Sequence, residues 1–311
     1  MDNHQPVPTQ TPALNKILIV ITGPTAIGKT RLAIAVAQKL NTEIISADSR
    51  QFYKELKIGS AAPSQKELKQ VPHHFVGHLS VTDYYNVYRF EQEVLEFLEG
   101  FFKNHNYAVM TGGSGLYMAA VCHGIDKLPD PDHAVREAIR ETYLEHGIEP
   151  LLRQLKISDP VYFQEVDHGN PARIMRALEV CKATGKPYSI FRKNVKRPRP
   201  FRIIKIGLNR PRNELVEIIS KRVDQMITNG LVDEARSLLP YRNENALKTV
   251  GYSEIFDHFD GKLTMDQAIE KIKTNTRRYA KRQLTWFRKD DSIRWFHPDQ
   301  QDKVLEFLKI Q

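Results

Sequence analysis

The sequence predicts an α/β fold in which a parallel sheet core is accompanied by a helical insertion domain and a helical C-terminal region. Over the first 125 residues, short β-branched runs alternate with segments of helical periodicity, a pattern typical of parallel sheets covered by helices. From about Pro129 the chain is charged, helical in period and poor in strand signals. These two observations divide it into a sheet-forming part and a mainly helical part.

The core elements follow from local pattern. A β-branched run at residues 16–22 ends at Gly23 and predicts the first strand, and the spacing of apolar residues from Lys29 to Leu40 predicts the helix after it. Further elements expected in the core are strands at residues 43–48 and 107–111 and a helix at residues 90–102.

The second half shows helix boundaries. Asn170-Pro171 is typical of a helix start, with Gly185 just beyond the helix end. Residues 201–208 alternate and predict a return to the sheet, and residues 213–289 predict two or three helices. The expected parts are a disordered leader at 1–15, a P-loop α/β core at 16–125, a helical insertion at 126–200, and a return to the core plus C-terminal helices at 201–311.

Composition excludes several classes of protein and indicates a polyanionic partner. Lysine and arginine number 46 against 37 acidic residues, a formal net charge of +9 over 311 residues. The 41 % hydrophobic and 27 % charged residues exclude collagen-like and disordered chains. The longest aliphatic run, Ile17–Ile21, is too short to span a bilayer, and two cysteines fit a reducing compartment. We therefore expect a cytoplasmic protein without a membrane segment.

The basic residues are clustered. Nine lie at residues 192–212 and eight at residues 271–289, and neither stretch contains an acid. A helical wheel of the second stretch separates an apolar stripe from a basic stripe, which suggests a helix packed on the core and turned toward a phosphate backbone. A merely solvated basic face is the alternative for either stretch.

A phosphate-binding loop is the strongest motif. Gly23-Pro-Thr-Ala-Ile-Gly-Lys-Thr30 matches G-x-x-x-x-G-K-[ST] in full and lies between a predicted strand and a predicted helix. Its glycines would let backbone N–H groups face an anion, Lys29 adds charge, and the Thr30 hydroxyl can ligate Mg²⁺. The core is therefore predicted to be a P-loop NTPase-like parallel sheet that binds a phosphorylated ligand.

Asp48 and a second glycine-rich turn follow predicted strands beside this loop. Three roles remain open for Asp48: a ligand of Mg²⁺ or water, a general base toward an acceptor, or a capping carboxylate. The turn Gly112-Gly-Ser-Gly115 either presents amides to a second anion or is a structural turn. His73-His74 have no third ligand at metal spacing, so no zinc site is expected.

Taken in order, the motifs resemble those of the tRNA dimethylallyltransferase family, also called tRNA isopentenylpyrophosphate (IPP) transferases. The resemblance runs from Ile19 to Lys289, and its segments at 45–51 and 277–288 are the most family-specific. Besides the phosphate loop, the segments that carry it are Ile45-Ser-Ala-Asp-Ser-Arg-Gln51, His73-His74, Gly112-Gly-Ser-Gly-Leu-Tyr117, Ala172-Arg-Ile-Met-Arg-Ala-Leu-Glu179, Arg222-Val-Asp-Gln-Met226, Val250-Gly-Tyr252 and Arg277-Arg-Tyr-Ala-Lys-Arg-Gln-Leu-Thr-Trp-Phe-Arg288.

The resemblance implies transfer of a dimethylallyl group from dimethylallyl diphosphate to N6 of the adenosine at position 37 of tRNA, giving N6-isopentenyladenosine. It implies Mg²⁺ as cofactor, bound through Thr30. It implies catalysis by Asp48 as general base, which suits the poorly nucleophilic N6, and by Lys29, Thr30 and Arg222 at the departing diphosphate. The residues implied to bind the diphosphate are Gly23, Pro24, Thr25, Ala26, Ile27, Gly28, Lys29, Thr30 and Arg222.

The implied partner is the tRNA anticodon stem-loop, from which the adenine leaves its stack while the insertion closes over the arm. We expect the protein to act as a monomer. The residues implied to contact tRNA are Asp48, Ser49, Arg50, Gln51, Ser114, Arg136, Ala172, Arg173, Ile174, Met175, Arg176, Val250, Gly251, Tyr252, Lys281, Arg282, Gln283, Leu284, Thr285, Trp286, Phe287 and Arg288.

The chain departs from the family pattern at Ile27, Ala62, Ile218 and Ser253. None of these positions removes the loop, Asp48 or Arg222, so activity is expected, with effects of Ala62 and Ile218 on affinity and substrate range.

Other functions fit parts of the pattern. A P-loop nucleotide kinase or NTPase would normally show an arginine-bearing lid and no long basic C-terminal helix. A prenyl transferase acting on free adenylate would not need residues 271–289 to be basic. Non-catalytic tRNA binding is disfavoured by the complete loop but stays open because of the four departures from the family pattern.

Overall fold

The computed structural model describes residues 15–194 and 196–309. Its contacts divide the chain into two compact units, one formed by Met1–His123 with Pro198–Gln311 and the other by Gly124–Arg197. Of the leader predicted at residues 1–15, all but the last residue lies outside the described residues.

A single parallel sheet organises the described part of the first unit. Its strands are β1 (Ile17–Thr22), β2 (Ile44–Ser46), β3 (His73–His74), β4 (Tyr107–Thr111), β5 (Arg202–Leu208) and β6 (Ile293–Phe296). Their order is β3-β2-β4-β1-β5-β6, and every pairing is parallel. Ile19 of the central strand lies in register with Val109 and Ile204. The predicted α/β class is confirmed.

Helices cover both faces of this sheet. The helices before the second unit are α1 (Lys29–Lys39), α2 (Gln65–Leu68), α3 (Val87–Phe101) and α4 (Gly115–His123). Alternate residues of β1 enter two different cores: Leu18 and Val20 pack with the α3 side chains, whereas Ile19 and Ile21 pack with those of α1. All of β1 is therefore buried, as expected of a strand covered on both faces.

The second unit is helical. Its helices are α5 (His133–His146), α6 (Glu149–Ser158), α7 (Pro160–Glu165) and α8 (Pro171–Thr184), followed by a 3₁₀ turn at Tyr188–Phe191. The Asn170 side chain caps α8 by accepting from the N–H of Arg173 at 3.2 Å, and Gly185 closes the helix with a φ of 66°. Both boundaries predicted for this helix are confirmed.

The C-terminal helices are α9 (Arg212–Thr228), α10 (Leu231–Ser237), α11 (Tyr252–Phe259), α12 (Met265–Phe287) and α13 (Gln301–Lys309). The expectation of two or three helices over residues 213–289 is wrong, since that fully described range contains four. Gly230 and Gly251 adopt φ values of 97° and 104°, and each opens a new helix. Along the described residues no helix is both long and apolar enough to cross a membrane.

Candidate active site

The phosphate loop connects β1 to α1 and exposes backbone donors. Gly28 caps α1 with a φ of 97°, and the first turn has neither a side-chain cap nor an acid. The backbone N–H groups of residues 26–30 donate to no acceptor in the described ranges. Gly23 (φ 144°) is required sterically as well, because a Cβ there would lie 2.6 Å from the carbonyl oxygen of Leu208. The loop therefore offers an uncapped helix start to an anion.

Two cations and one carboxylate interact beside the loop. Lys29 Nζ donates to the carbonyl of Pro24 at 2.8 Å. Burial lowers the pKa of Lys29 to about 8, which the Asp48 carboxylate partly opposes and Arg222 reinforces. Burial also lowers the pKa of Arg222 on α9, again opposed by Asp48. An anion bound here would relieve the repulsion between the two cations.

Asp48 lies just beyond β2, at the carboxyl edge of the sheet. Its Oδ1 accepts from the N–H of Arg50 at 3.1 Å, so the capping role is present. Its Oδ2 accepts no hydrogen bond from the described residues and lies 3.6 Å from the position that a Cβ on Gly113 would take. One carboxylate oxygen is therefore fixed while the other is left for chemistry.

The turn at residues 112–115 is a close-packing device. A Cβ on Gly112 would lie 2.3 Å from the Ala47 carbonyl oxygen, and one on Gly115 would lie 2.3 Å from Trp286. The N–H of Ser114 donates to Ala47 at 3.3 Å, and the Ser114 hydroxyl accepts from the N–H of Ser49 at 3.0 Å. These contacts favour a structural turn over a second anion site.

Gln283 joins this turn to the phosphate loop. It lies on α12 and is only 5 % exposed. Its Oε1 accepts from the N–H of Thr25 at 2.8 Å, and its Nε2 donates to the carbonyl of Gly113 at 2.9 Å. Tyr279 lies one helical turn earlier, and burial and the nearby Asp48 raise the pKa of its phenol. Tyr279 was not among the predicted site residues, although its spacing of four from Gln283 places both on one helix face.

The exposed face of α12 forms a basic groove. We define the α12 groove by its lining residues, Arg278, Lys281, Arg282, Thr285, Trp286 and Lys289, which enclose about 430 Å³. Trp286 is 43 % exposed. Lys271 and Lys273, earlier on the helix, pair with Asp257 and Asp224 at 3.0 and 2.9 Å. The groove lysines and arginines form no ion pair with any described residue, so the basic stripe is available at the C-terminal end of α12.

The other basic stretch, residues 192–212, is largely occupied by internal partners. Arg199 pairs with the fully buried Glu91 and donates to two backbone carbonyls at the end of α4. Lys205 pairs with Asp290 at 2.6 Å, and its side chain is 9 % exposed. These two cations stabilise the fold of the first unit and face no external phosphate.

Several residues implied to contact tRNA are turned inward. Gln51 ties two segments together, accepting from the Ser46 hydroxyl at 3.0 Å and donating to the Ala61 carbonyl at 3.0 Å. Three of the predicted contacts are buried: Gly251, Tyr252 and Phe287. Two others, Val250 and Leu284, are partly buried. Arg50 donates to the carbonyl of Asn245 at 3.0 Å.

Tyr252 belongs to a buried clamp centred on Glu234. The Tyr252 hydroxyl donates to Glu234 at 2.6 Å, and burial together with Glu234 raises its pKa. The same carboxylate accepts from the backbone N–H groups of residues 57–59. Gly59 must be glycine because a Cβ would lie 2.6 Å from the Tyr252 ring. Tyr252 therefore fixes the 57–59 segment.

The remaining predicted tRNA contacts lie in the second unit, at the start of α8 and on α5. Ala172 and Arg173 are exposed, whereas Ile174 is buried and Met175 partly buried. Arg176 and Arg136 both pair with Glu179, at 3.2 and 3.8 Å. Of the predicted tRNA contacts on this unit, the exposed ones are therefore Ala172 and Arg173 at the first turn of α8.

The phosphate loop offers one candidate ligand for a metal ion. Within the described residues no group of three or more His, Cys, Asp or Glu side chains could hold a metal ion. His74 instead bonds to Glu43 at 2.5 Å, and His73 to the Val71 carbonyl at 2.8 Å. Mg²⁺ beside phosphates needs only one or two protein ligands. The Thr30 hydroxyl, which bonds to no described residue, suits that requirement.

Comparison with known proteins gives concordant matches. The model of the IPP transferase family matches residues 51–290. The tRNA dimethylallyltransferase 1 of Bacteroides thetaiotaomicron is 51 % identical over 294 residues, which cover 94 % of this chain and 96 % of that protein. The structure of the full-length tRNA isopentenylpyrophosphate transferase of Bacillus halodurans aligns with a TM-score of 0.69 at 33 % identity, covering 95 % of this chain and 96 % of that one. A eukaryotic dimethylallyltransferase acting on tRNA aligns with a TM-score of 0.73 at 25 % identity, covering 91 % and 74 %.

Proposed function

The chain belongs to the IPP transferase family, as the sequence motifs predicted, and from this premise we propose that it is a tRNA dimethylallyltransferase. It transfers the dimethylallyl group of dimethylallyl diphosphate to N6 of adenosine 37, 3′ of the anticodon. The observation that carries the proposal is the convergence, at one sheet edge, of an open phosphate loop, two cations and a carboxylate with a free oxygen.

The phosphate loop binds the diphosphate of the prenyl donor. Five N–H groups and the start of α1 surround the diphosphate, and Lys29 and Arg222 neutralise the charge that grows on it as the C–O bond breaks. Lys29 is partly buried, and desolvation lowers its pKa to about 8; an adjacent anion would raise this pKa. Binding of the donor therefore keeps Lys29 charged when the leaving group departs.

Asp48 acts on the acceptor adenosine. N6 of adenine attacks C1 of the dimethylallyl group, the C1–O bond breaks, and diphosphate leaves with the bonding electron pair. The N6 proton passes to the free Oδ2 of Asp48, while Oδ1 remains bonded to the Arg50 amide. This division of the carboxylate gives Asp48 the role of general base.

Mg²⁺ is the proposed cofactor. The Thr30 hydroxyl in the first turn of α1 would hold it, and when bound it would further neutralise the leaving diphosphate.

The tRNA backbone would lie along the α12 groove. The groove combines four cations with the half-exposed Trp286, and single-stranded RNA is recognised by such combinations of charge and stacking. Arg173, which is exposed on the second unit, is also a proposed tRNA contact. We propose that the protein acts as a monomer in the cytoplasm.

A nucleotide kinase or NTPase and a free-adenylate prenyl transferase are the competing functions. The test offers Mg²⁺ and dimethylallyl diphosphate with three acceptors in parallel: unmodified tRNA, free AMP and water with ATP present. Mass analysis of nucleosides should show a five-carbon adduct on tRNA adenosine alone. An adduct on AMP, or ATP hydrolysis without an adduct, would reassign the function.

A further inference from the structure

We propose that Gln283 is a positioning residue for the donor site, holding the phosphate loop in the conformation that binds diphosphate. The proposal rests on the donor site assigned above. The resemblance to relatives placed Gln283 among tRNA contacts, but the side chain is 5 % exposed and lies behind the α12 groove. It is therefore shielded from a ligand in that groove.

Both polar atoms of the Gln283 amide are used inside the protein. Oε1 accepts from the N–H of Thr25 in the loop, and Nε2 donates to the carbonyl of Gly113 at the end of β4. The amide is thus oriented unambiguously, since one partner is a donor and the other an acceptor. α12, the loop and the β4 turn are held together through this one side chain.

The loop needs such a restraint. Ala26, the residue after Thr25, has a φ of 66°, a left-handed conformation that is strained for any residue with a Cβ. Strain of this kind persists only where neighbouring contacts hold it. The hydrogen bond from the Thr25 N–H to Gln283 lies next to this strained residue and therefore restrains the loop there.

Gly113, the partner of Gln283 in the β4 turn, allows a close approach of the Gln283 amide. A Cβ on Gly113 would lie 2.2 Å from Gln283 Nε2, so only glycine at this position admits the amide. This contact explains why the glycine-rich turn at residues 112–115 has glycine at position 113. It also predicts that Gly113→Ala acts through displacement of Gln283.

The test measures binding of inorganic pyrophosphate with Mg²⁺ and, separately, binding of tRNA. Gln283→Met keeps the apolar volume and removes both hydrogen bonds, so pyrophosphate affinity should fall about tenfold or more. Its tRNA affinity should stay within about twofold, and the salt dependence should be unchanged. Lys281→Met, an exposed change on the same helix, is the matched control, with tRNA binding weakened and pyrophosphate binding kept.

Gln283→Glu adds a second measurement, the pH dependence of pyrophosphate affinity, which a purely structural role of Gln283 would leave unchanged. A protonated carboxyl can accept from Thr25 and donate to Gly113 as the amide does, whereas a carboxylate repels the Gly113 carbonyl. Pyrophosphate affinity relative to the wild type should therefore recover as the pH is lowered from about 8 to about 5.5. If Gln283→Met does not fold, the pH dependence of Gln283→Glu still tests whether Gln283 positions the phosphate loop.

Two results overturn the positioning role. One is wild-type pyrophosphate affinity in Gln283→Met together with no pH-dependent recovery in Gln283→Glu. The other is a loss of tRNA affinity with pyrophosphate affinity kept, which would make Gln283 a tRNA contact. A wild-type protein that binds no pyrophosphate would overturn the proposed function itself, and with it this proposal.

Discussion

Lys29→Met is expected to change how stability depends on pH as well as to remove diphosphate binding. In the folded protein burial lowers the pKa of Lys29 from 10.5 to about 8. The folded state therefore releases this proton at lower pH than the unfolded chain does. Below pH 8 the charged ammonium destabilises the fold, and this destabilisation is relieved as pH rises from 8 toward 10.5.

The magnitude follows from the two pKa values. Since one pKa unit corresponds to about 1.4 kcal/mol, the charged form is disfavoured by about 3 kcal/mol in the folded state. By about pH 9.5 roughly 2 kcal/mol of this destabilisation is relieved. Methionine fills a similar volume without a titrating group. The free energy of unfolding of the variant therefore lacks the increase that deprotonation of Lys29 gives the wild type.

The assay is urea unfolding of the wild type and Lys29→Met at pH 7 and about pH 9.5, without ligand. The stability of the wild type relative to the variant should rise by about 2 kcal/mol between the two conditions, because the other titrating groups cancel in the difference. Lys39→Met, at the exposed end of the same helix, is the matched control for removal of a lysine from α1. Identical pH dependence in the wild type and Lys29→Met would refute the assignment of Lys29 as a partly buried, weakened base.

Three other outcomes follow from the same structure. Asp48→Asn keeps an acceptor for the Arg50 amide but removes the base, so single-turnover transfer should fall by about 10²–10⁴ with tRNA affinity kept. Replacing Lys281 and Arg282 by alanine should lower the slope of log tRNA affinity against log salt by about 0.7–0.9 for each lost contact. Tyr252→Phe leaves Glu234 without its hydroxyl donor and should reduce the free energy of unfolding by about 1–2 kcal/mol in urea titrations, with little change in tRNA affinity.

Each outcome has a clear opposite. Near-normal transfer with weakened tRNA binding in Asp48→Asn would make Asp48 a tRNA contact. An unchanged salt slope after the Lys281 and Arg282 replacements would mean that the α12 groove is merely solvated. A large loss of tRNA affinity in Tyr252→Phe at unchanged stability would indicate that Tyr252 faces the tRNA.

Local signals predicted the centre of the fold well. The phosphate loop, β1, β4 and α1 follow from contiguous apolar runs and a complete motif, and each is observed within one residue of its expected bounds. The two-residue strand β3 was not predicted; it consists of His73–His74 and ends before Phe75, which has a φ of 60°. β6 and α13 were not predicted; β6 is a four-residue edge strand, and register with β5 is what defines it.

Charge was harder to interpret from sequence because ion-pair partners are distant along the chain. Residues 192–212 contain no acid, yet Arg199 and Lys205 are neutralised by Glu91 and Asp290 from other elements. Gln283 is a buried residue of α12, together with Ala268, Ile272, Ala280 and Phe287. Its partners in the loop and the β4 turn are more than 150 residues away and only the fold brings them together.

Transfer to defined RNA substrates shows whether the protein prenylates adenosine 37 and whether Asp48 is the base. The measurement is dimethylallyl incorporation, with Mg²⁺ and dimethylallyl diphosphate, into an anticodon stem-loop with adenosine at position 37 and into the same RNA with guanosine there. We expect a single N6 adduct on the first RNA, none on the second, and transfer to the first that is slower by about 10²–10⁴ with Asp48→Asn in a single turnover. Equal incorporation into both RNAs, or undiminished transfer by Asp48→Asn, would contradict this expectation.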